Sequence, residues 1–168
     1  LYGDGDGAKL EGVADNSLDF VVSAHCLEHV ESPIEAITNW LRVLRPEGHL
    51  IVIVPDEDRY EQGVWPSTHN TDHKFTFTIC KRTRSWSPVS RNLIDLLTQH
   101  REAEILKVEV LDEQHLYGLP RTDQTLGIGE GAIEFILRKR PAHELDAGGR
   151  LPPPTVTDLL TKRLTEGR

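Results

Sequence analysis

His25, Glu28 and His29 fall within five positions of the stretch SAHCLEHVESP (23–33). Imidazole exchanges a proton or coordinates a transition ion near neutral pH, and a carboxylate adds the negative charge that a cation needs. The string reads H-x-x-E-H, a spacing in which two histidines hold zinc while the glutamate activates a water for hydrolysis. Further along, THNTDHK (68–74) contributes His69, Asp72 and His73, with H-x-x-x-H spacing, as ligands that can complete a metal site. The same residue types also serve a plainer purpose, entering a helix and making local hydrogen bonds.

The elements around the motif weigh against hydrolysis. A metallopeptidase of the H-x-x-E-H type needs both histidines on a long helix and a further acidic ligand from another helix. Here the motif leaves an apolar run, and Pro33 follows four residues after His29, so little helix is available. LDFVVSA (18–24) and HLIVIVP (49–55) are continuous β-branched runs, the pattern of parallel strands covered on both faces. Between them the sequence predicts a helix over 33–45, with Ser32 as cap, Pro33 in the first turn, Glu35 completing a capping box, and Ile34, Ile37, Leu41 and Leu44 at helical spacing. RPEG (45–48) stops it. Strand, helix and strand make a right-handed βαβ unit. In open α/β sheets ligands bind beyond the carboxyl ends of parallel strands, which is where residues 25–29 fall.

A second helix is predicted over SPVSRNLIDLLTQH (87–100), with Val89, Leu93, Leu96 and Leu97 on one stripe. LKVEVL (106–111) alternates as a half-buried strand, and AIEFILRK (132–139) is expected to run antiparallel beside its neighbours. The α/β region is bounded at 1–140, followed by a Pro/Gly-containing tail at 141–168 with a short helix over 155–164.

With 168 residues the chain fits one domain, and its formal charge of −8 with scattered Lys and Arg leaves no nucleic-acid footprint. The basic strings KRTR (81–84) and RKR (138–140) read as solvated surface. No run reaches the length of a membrane span. Cys26 and Cys80 lack C-x-x-C spacing and read as inert, buried, reduced thiols, which suits a cytoplasmic setting. The chain starts at Leu1 and contains no methionine, from which an N-terminal truncation is expected.

GDGAKL (5–10) followed by ADNSLDFVVSAHCLEHVESPIEAITNWLRVLRPEGHLIVIVPD (14–56) resembles the class I S-adenosylmethionine-dependent methyltransferases, from their acidic adenine-binding loop to their fifth strand. DEDRYEQGVWPSTHNTDHKFTF (56–77) and DQTLGIGEGAIEFILRK (123–139) are similar to a bacterial branch associated with surface glycans. The resemblance implies a partial Rossmann-like sheet and methyl transfer from S-adenosyl-L-methionine to an oxygen or nitrogen of a small-molecule or glycan-like acceptor. It implies cofactor contacts at Asp6, Gly7, Ala24 and His25, with His29 the first and His25 the second candidate for a catalytic base. Glu47 departs from the family, which usually has a glycine there. The family's glycine-rich turn and ribose-binding acid cannot be placed.

Two methyltransferase subgroups carry E-x-x-E-H where His25, Glu28 and His29 stand, and bind a divalent metal that orients the acceptor hydroxyl. By that resemblance His25, Glu28, His29, His69 and His73 are candidate ligands, and histidine in place of the first glutamate favours zinc-like ions over magnesium. Tyr60, Trp65, Trp86 and Tyr117 lie where they can wall an acceptor pocket. With half a cofactor site, the alternative is an inert or partner-binding domain. A strand at 18–24 lacking its usual neighbour is expected at an open sheet edge, prone to self-association.

Overall fold

The structure, a computed structural model, describes residues 6–150. LDFVVSA forms β1 (Leu18–Ala24), α1 spans Pro33–Val43, and β2 runs from Leu44 to Pro55. The Ser32 hydroxyl caps α1, accepting from the Glu35 amide at 3.3 Å, with Pro33 opening the first turn. Ile37, Trp40 and Leu41 are buried beneath the helix, whereas Ile34 turns out to solvent and Ala36 takes the inward position instead.

β1 and β2 pair in parallel, Phe20 opposite His49 through Ala24 opposite Ile53, as the two apolar runs predict. The register slips between Leu18 and Phe20 because Arg45–Gly48 bulge out of the ladder. Glu47 sits there at φ 69, a left-handed conformation that glycine adopts at less cost. This is a physical reason for the glycine that the resembling family prefers. At Gly48 a Cβ would meet the Arg45 carbonyl oxygen at 2.9 Å and that of Asp19 at 3.0 Å, so no larger residue fits without movement.

After β2 come a π-helical turn (Glu57–Glu61), β3 (Thr76–Thr78), β4 (Ser90–Asn92), α2 (Leu93–Leu97), β5 (Ala103–Leu111), β6 (Ala132–Lys139) and α3 (Ala142–Ala147). The main sheet has the order β1-β2-β6-β5, with β6 antiparallel to both neighbours, while β3 and β4 form a small parallel pair. Val52, Val54, Ile133, Phe135 and Leu137 build the core together with the inner face of α1. Among the described residues β1 pairs on one side only, and it leaves Phe20 63% and Val22 59% exposed.

Three expectations need correction. Residues 87–92 are not helical: the Ser90 hydroxyl bonds the buried Glu57 carboxylate at 2.6 Å and Ser87 bonds Thr76 at 2.8 Å, so this stretch extends as β4. The helix starts at Leu93, capped by Asn92, whose side chain accepts from the Asp95 amide. Arg138 is buried rather than solvated, donating to Glu104 at 2.7 Å and pairing with Glu144 on α3, a helix that the sequence reading had not resolved. Cys26 is half-buried and Cys80 exposed, so neither is a core thiol. The helix expected over 155–164 lies outside the described residues. No helix among the described residues is long and apolar enough to cross a membrane.

Candidate functional site

The carboxyl end of β1 carries the motif. The His25 amide still donates to Ile53 of β2 at 3.0 Å, but His25 itself takes φ 51, which breaks the strand and starts a turn. Residues 25–29 form that turn and not a helix, so the arrangement of a helical H-x-x-E-H peptidase is not formed. Leu27 is fully buried and pins the turn to the core. The Glu28 carbonyl accepts from the amides of Lys74 at 2.8 Å and Phe75 at 3.4 Å, which brings the 72–75 segment alongside.

Side chains from these two segments then converge. Glu28 has no solvent exposure, and both its carboxylate oxygens lack a hydrogen-bond partner among the described residues. His29 Nε2 stands 3.7 Å from Glu28 Oε1, and His73 Nε2 stands 3.9 Å from it. One ligand atom from each of Glu28, His29 and His73 lies within 4.8 Å of the others. His25 Nδ1 approaches Glu28 Oε1 at 3.7 Å from the exposed side, too long for a formed hydrogen bond. The Glu28 carboxylate nevertheless holds the His25 imidazole above its ordinary value, against the opposing effect of partial burial. His69 stands outside this group: its ring packs edge-on to Tyr60 at 5.6 Å, and its Nε2 is buried without a partner.

Two groups complete the surroundings: Glu61, which the sequence reading does not single out, and Tyr60, which it expects only as a wall of an acceptor pocket. Glu61, at the end of the π-helical turn, places Oε1 2.6 Å from His73 Nδ1, with both side chains buried. Tyr60 packs its ring on His73 at 5.4 Å, and burial, then the carboxylates of Asp123, Glu61 and Glu28, pushes its phenol up to about 12. Tyr60 therefore stays a neutral hydroxyl at physiological pH. Of the other aromatics, the Trp86 indole donates to Asp58 at 2.9 Å, and the Tyr117 hydroxyl accepts from Arg59 at 3.0 Å.

Asp6 and Gly7 lie on a loop fastened to α1. Trp40 Nε1 donates to the Gly7 carbonyl at 2.8 Å, Asn39 to that of Ala8 at 3.2 Å, and Arg42 to those of Leu10 and Val13 at 3.1 and 3.0 Å. Asp6 Oδ1 accepts from the Ala8 amide, while a Cβ added at Gly7 would meet nothing within 4 Å. The Gly7 amide makes no hydrogen bond to a described residue. Asp6 and His29 share a hollow of about 330 Å³ with Lys9, Glu35, Asn39 and Lys74. A second hollow, of about 480 Å³, runs from Gly7 and Leu10 along β1 to Ala24 and Cys26.

Residues 2–52, which supply this loop, β1, the turn and α1, match the model of the methyltransferase domain family. The chain has the class I S-adenosylmethionine-dependent methyltransferase fold. Solved methyltransferases superpose on it at low identity. One is from Archaeoglobus fulgidus (TM-score 0.54, 14% identity, covering 80% of this chain and 66% of that one). Another comes from a complex of the Haloferax volcanii Trm112 methyltransferase activator with a methyltransferase (0.53, 14%, 82% and 60%). A third is a methyltransferase from Thermotoga maritima (0.50, 20%, 79% and 61%). The chain thus spans less than two thirds of the length of each of these methyltransferases. No curated protein matches the sequence.

Proposed function

We propose that this chain belongs to an enzyme transferring a methyl group from S-adenosyl-L-methionine to an oxygen or nitrogen of a small-molecule or glycan-like acceptor. The observation that carries the reading is the coincidence of the family match over 2–52 with the loop that borders both hollows and the strand end that borders the second. Asp6 and Gly7 fit an adenine edge: the carboxylate can accept from the exocyclic amine, and the Gly7 amide, which bonds no described residue, can donate to a ring nitrogen. Ala24 and His25 would border the same molecule from the end of β1. When bound, the sulfonium supplies an electrophilic methyl.

The protein's own part is positioning and proton removal. His29 Nδ1 lies 3.2 Å from the Asp72 carbonyl, so that nitrogen donates and Nε2 is left as the basic atom. His29 lines the hollow beside Asp6, and an acceptor hydroxyl that reached its Nε2 would lose its proton there, with His25 as the second candidate.

Calorimetry with S-adenosylhomocysteine tests the cofactor half of this reading. Saturable binding that weakens about tenfold or more in Asp6→Ala is expected, in line with the loss of a charge-assisted hydrogen bond. Binding indifferent to Asp6, or none, favours the inert or partner-binding alternative.

A further inference from the structure

We infer that Glu28, His29 and His73 form a site for one zinc-class divalent cation. The proposal begins with Glu28. A carboxylate shut away from water needs a hydrogen-bond donor or a cation, and neither of its oxygens has a donor among the described residues. Around it, both histidines are oriented in the same sense. His73 Nδ1 is held by Glu61 at 2.6 Å and His29 Nδ1 by the Asp72 carbonyl at 3.2 Å. Each Nδ1 therefore donates, and each Nε2 turns its lone pair toward Glu28 Oε1, at 3.9 and 3.7 Å. Histidine ligands are commonly fixed by a carboxylate or carbonyl on the far ring nitrogen, which sets the tautomer and raises basicity.

The distances and donor types favour zinc over magnesium. A tetrahedral ion with ligand bonds of about 2.1 Å keeps its ligand atoms about 3.4 Å apart; the two separations from Glu28 Oε1, 3.7 and 3.9 Å, exceed that by a few tenths of an ångström, and the two histidine nitrogens lie within 4.8 Å of each other. Two imidazoles and one carboxylate make a borderline-soft set, whereas magnesium prefers oxygen alone. Three protein ligands leave a position open, and His29 is the ligand that also lines the hollow shared with Asp6. His69 and His25 are not part of the trio. The site stands independently of methyl transfer, but the two readings meet at His29: an ion there occupies the Nε2 lone pair and leaves His25 as the base.

The test is zinc titration of the chelator-stripped full chain by calorimetry and by thermal shift, with cobalt(II) absorption reporting coordination. One equivalent should bind and raise the unfolding temperature. Glu28→Gln, His73→Ala and His29→Gln should each lose at least tenfold in affinity. Glu61→Gln, which touches no ion, should lose tenfold to a hundredfold through His73 alone. His49→Ala, at the far end of β2, should bind as the wild type. Circular dichroism guards against misfolding of the buried variants, and His29→Gln, at a partly exposed side chain, serves if Glu28→Gln fails to fold. A wild type that takes up no stoichiometric zinc, or a folded Glu28→Gln or His29→Gln that binds as tightly as the wild type, overturns the proposal.

Discussion

His73 Nδ1 and Glu61 Oε1 meet at 2.6 Å with both side chains shielded from water, joining the turn after β2 to the segment that precedes β3. Arg121 ties down the same corner, donating to the Glu61 carbonyl at 3.2 Å and bonding Thr68 through its other arm. Removing one partner of a buried charged hydrogen bond leaves the other unpaired. Glu61→Ala should therefore destabilise the protein by about 1.5–3 kcal/mol. Urea unfolding measures this, and a midpoint equal to that of the wild type would show that the pair contributes nothing.

The bulge near the start of β2 allows a paired backbone experiment. Glu47→Gly relieves a left-handed residue with a Cβ and should stabilise by up to about 1 kcal/mol, the strain relieved less the extra chain entropy. Gly48→Ala drives a methyl into two carbonyl oxygens and should destabilise by about 1–3 kcal/mol. Opposite signs at adjacent positions are the expected signature, read from thermal midpoints.

Stability should fall in mild acid because of His100. Burial holds this imidazole below its ordinary value, with Glu102 at 3.7 Å only partly opposing it, and its Nε2 has no partner. As pH drops through the ordinary histidine range of about 6.5, the unfolded chain binds a proton that the folded chain refuses. The stability contributed by neutral His100 is present above that range and is lost as pH falls toward the folded value. His100→Gln should lose less stability than the wild type between about pH 7.5 and 5.5. Parallel slopes for the two proteins would dismiss this account.

The open side of β1 should make the chain associate. Phe20 and Val22 are largely exposed beside a strand whose backbone pairs on one side only among the described residues. Sedimentation should show concentration-dependent oligomers for the wild type and fewer for Val22→Lys, whose charge discourages edge pairing. A monomer at all concentrations would contradict this.

β1, α1 and β2 were legible because their signals are local: Ser32, Pro33 and Glu35 mark a helix start whatever lies elsewhere in the chain. Residues 87–92 misled for the opposite reason. Ser-Pro resembles a helix start, but Ser90 bonds the buried Glu57, some thirty residues earlier, and Ser87 bonds Thr76, and no periodicity reports either contact. At the site, Glu28, His29 and His73 could be named from residue type and from the rule that ligands gather at strand ends. The role of Glu61 could not, because a carboxylate at 61 and an imidazole at 73 carry no shared spacing. The left-handed backbone of His25 was equally hidden, since histidine does not advertise positive φ as glycine does.

The central claim is that the Asp6 loop and the carboxyl end of β1 together receive S-adenosylmethionine. The most direct measurement is an amide-resolved NMR titration of the chain with S-adenosylhomocysteine. The account expects saturable shifts at Gly7, Ala24, His25 and their neighbours, with β5 and α3 unmoved, and expects Asp6→Ala to require more ligand for the same shifts. Saturating ligand that moves none of those amides, or moves only residues remote from them, would contradict it.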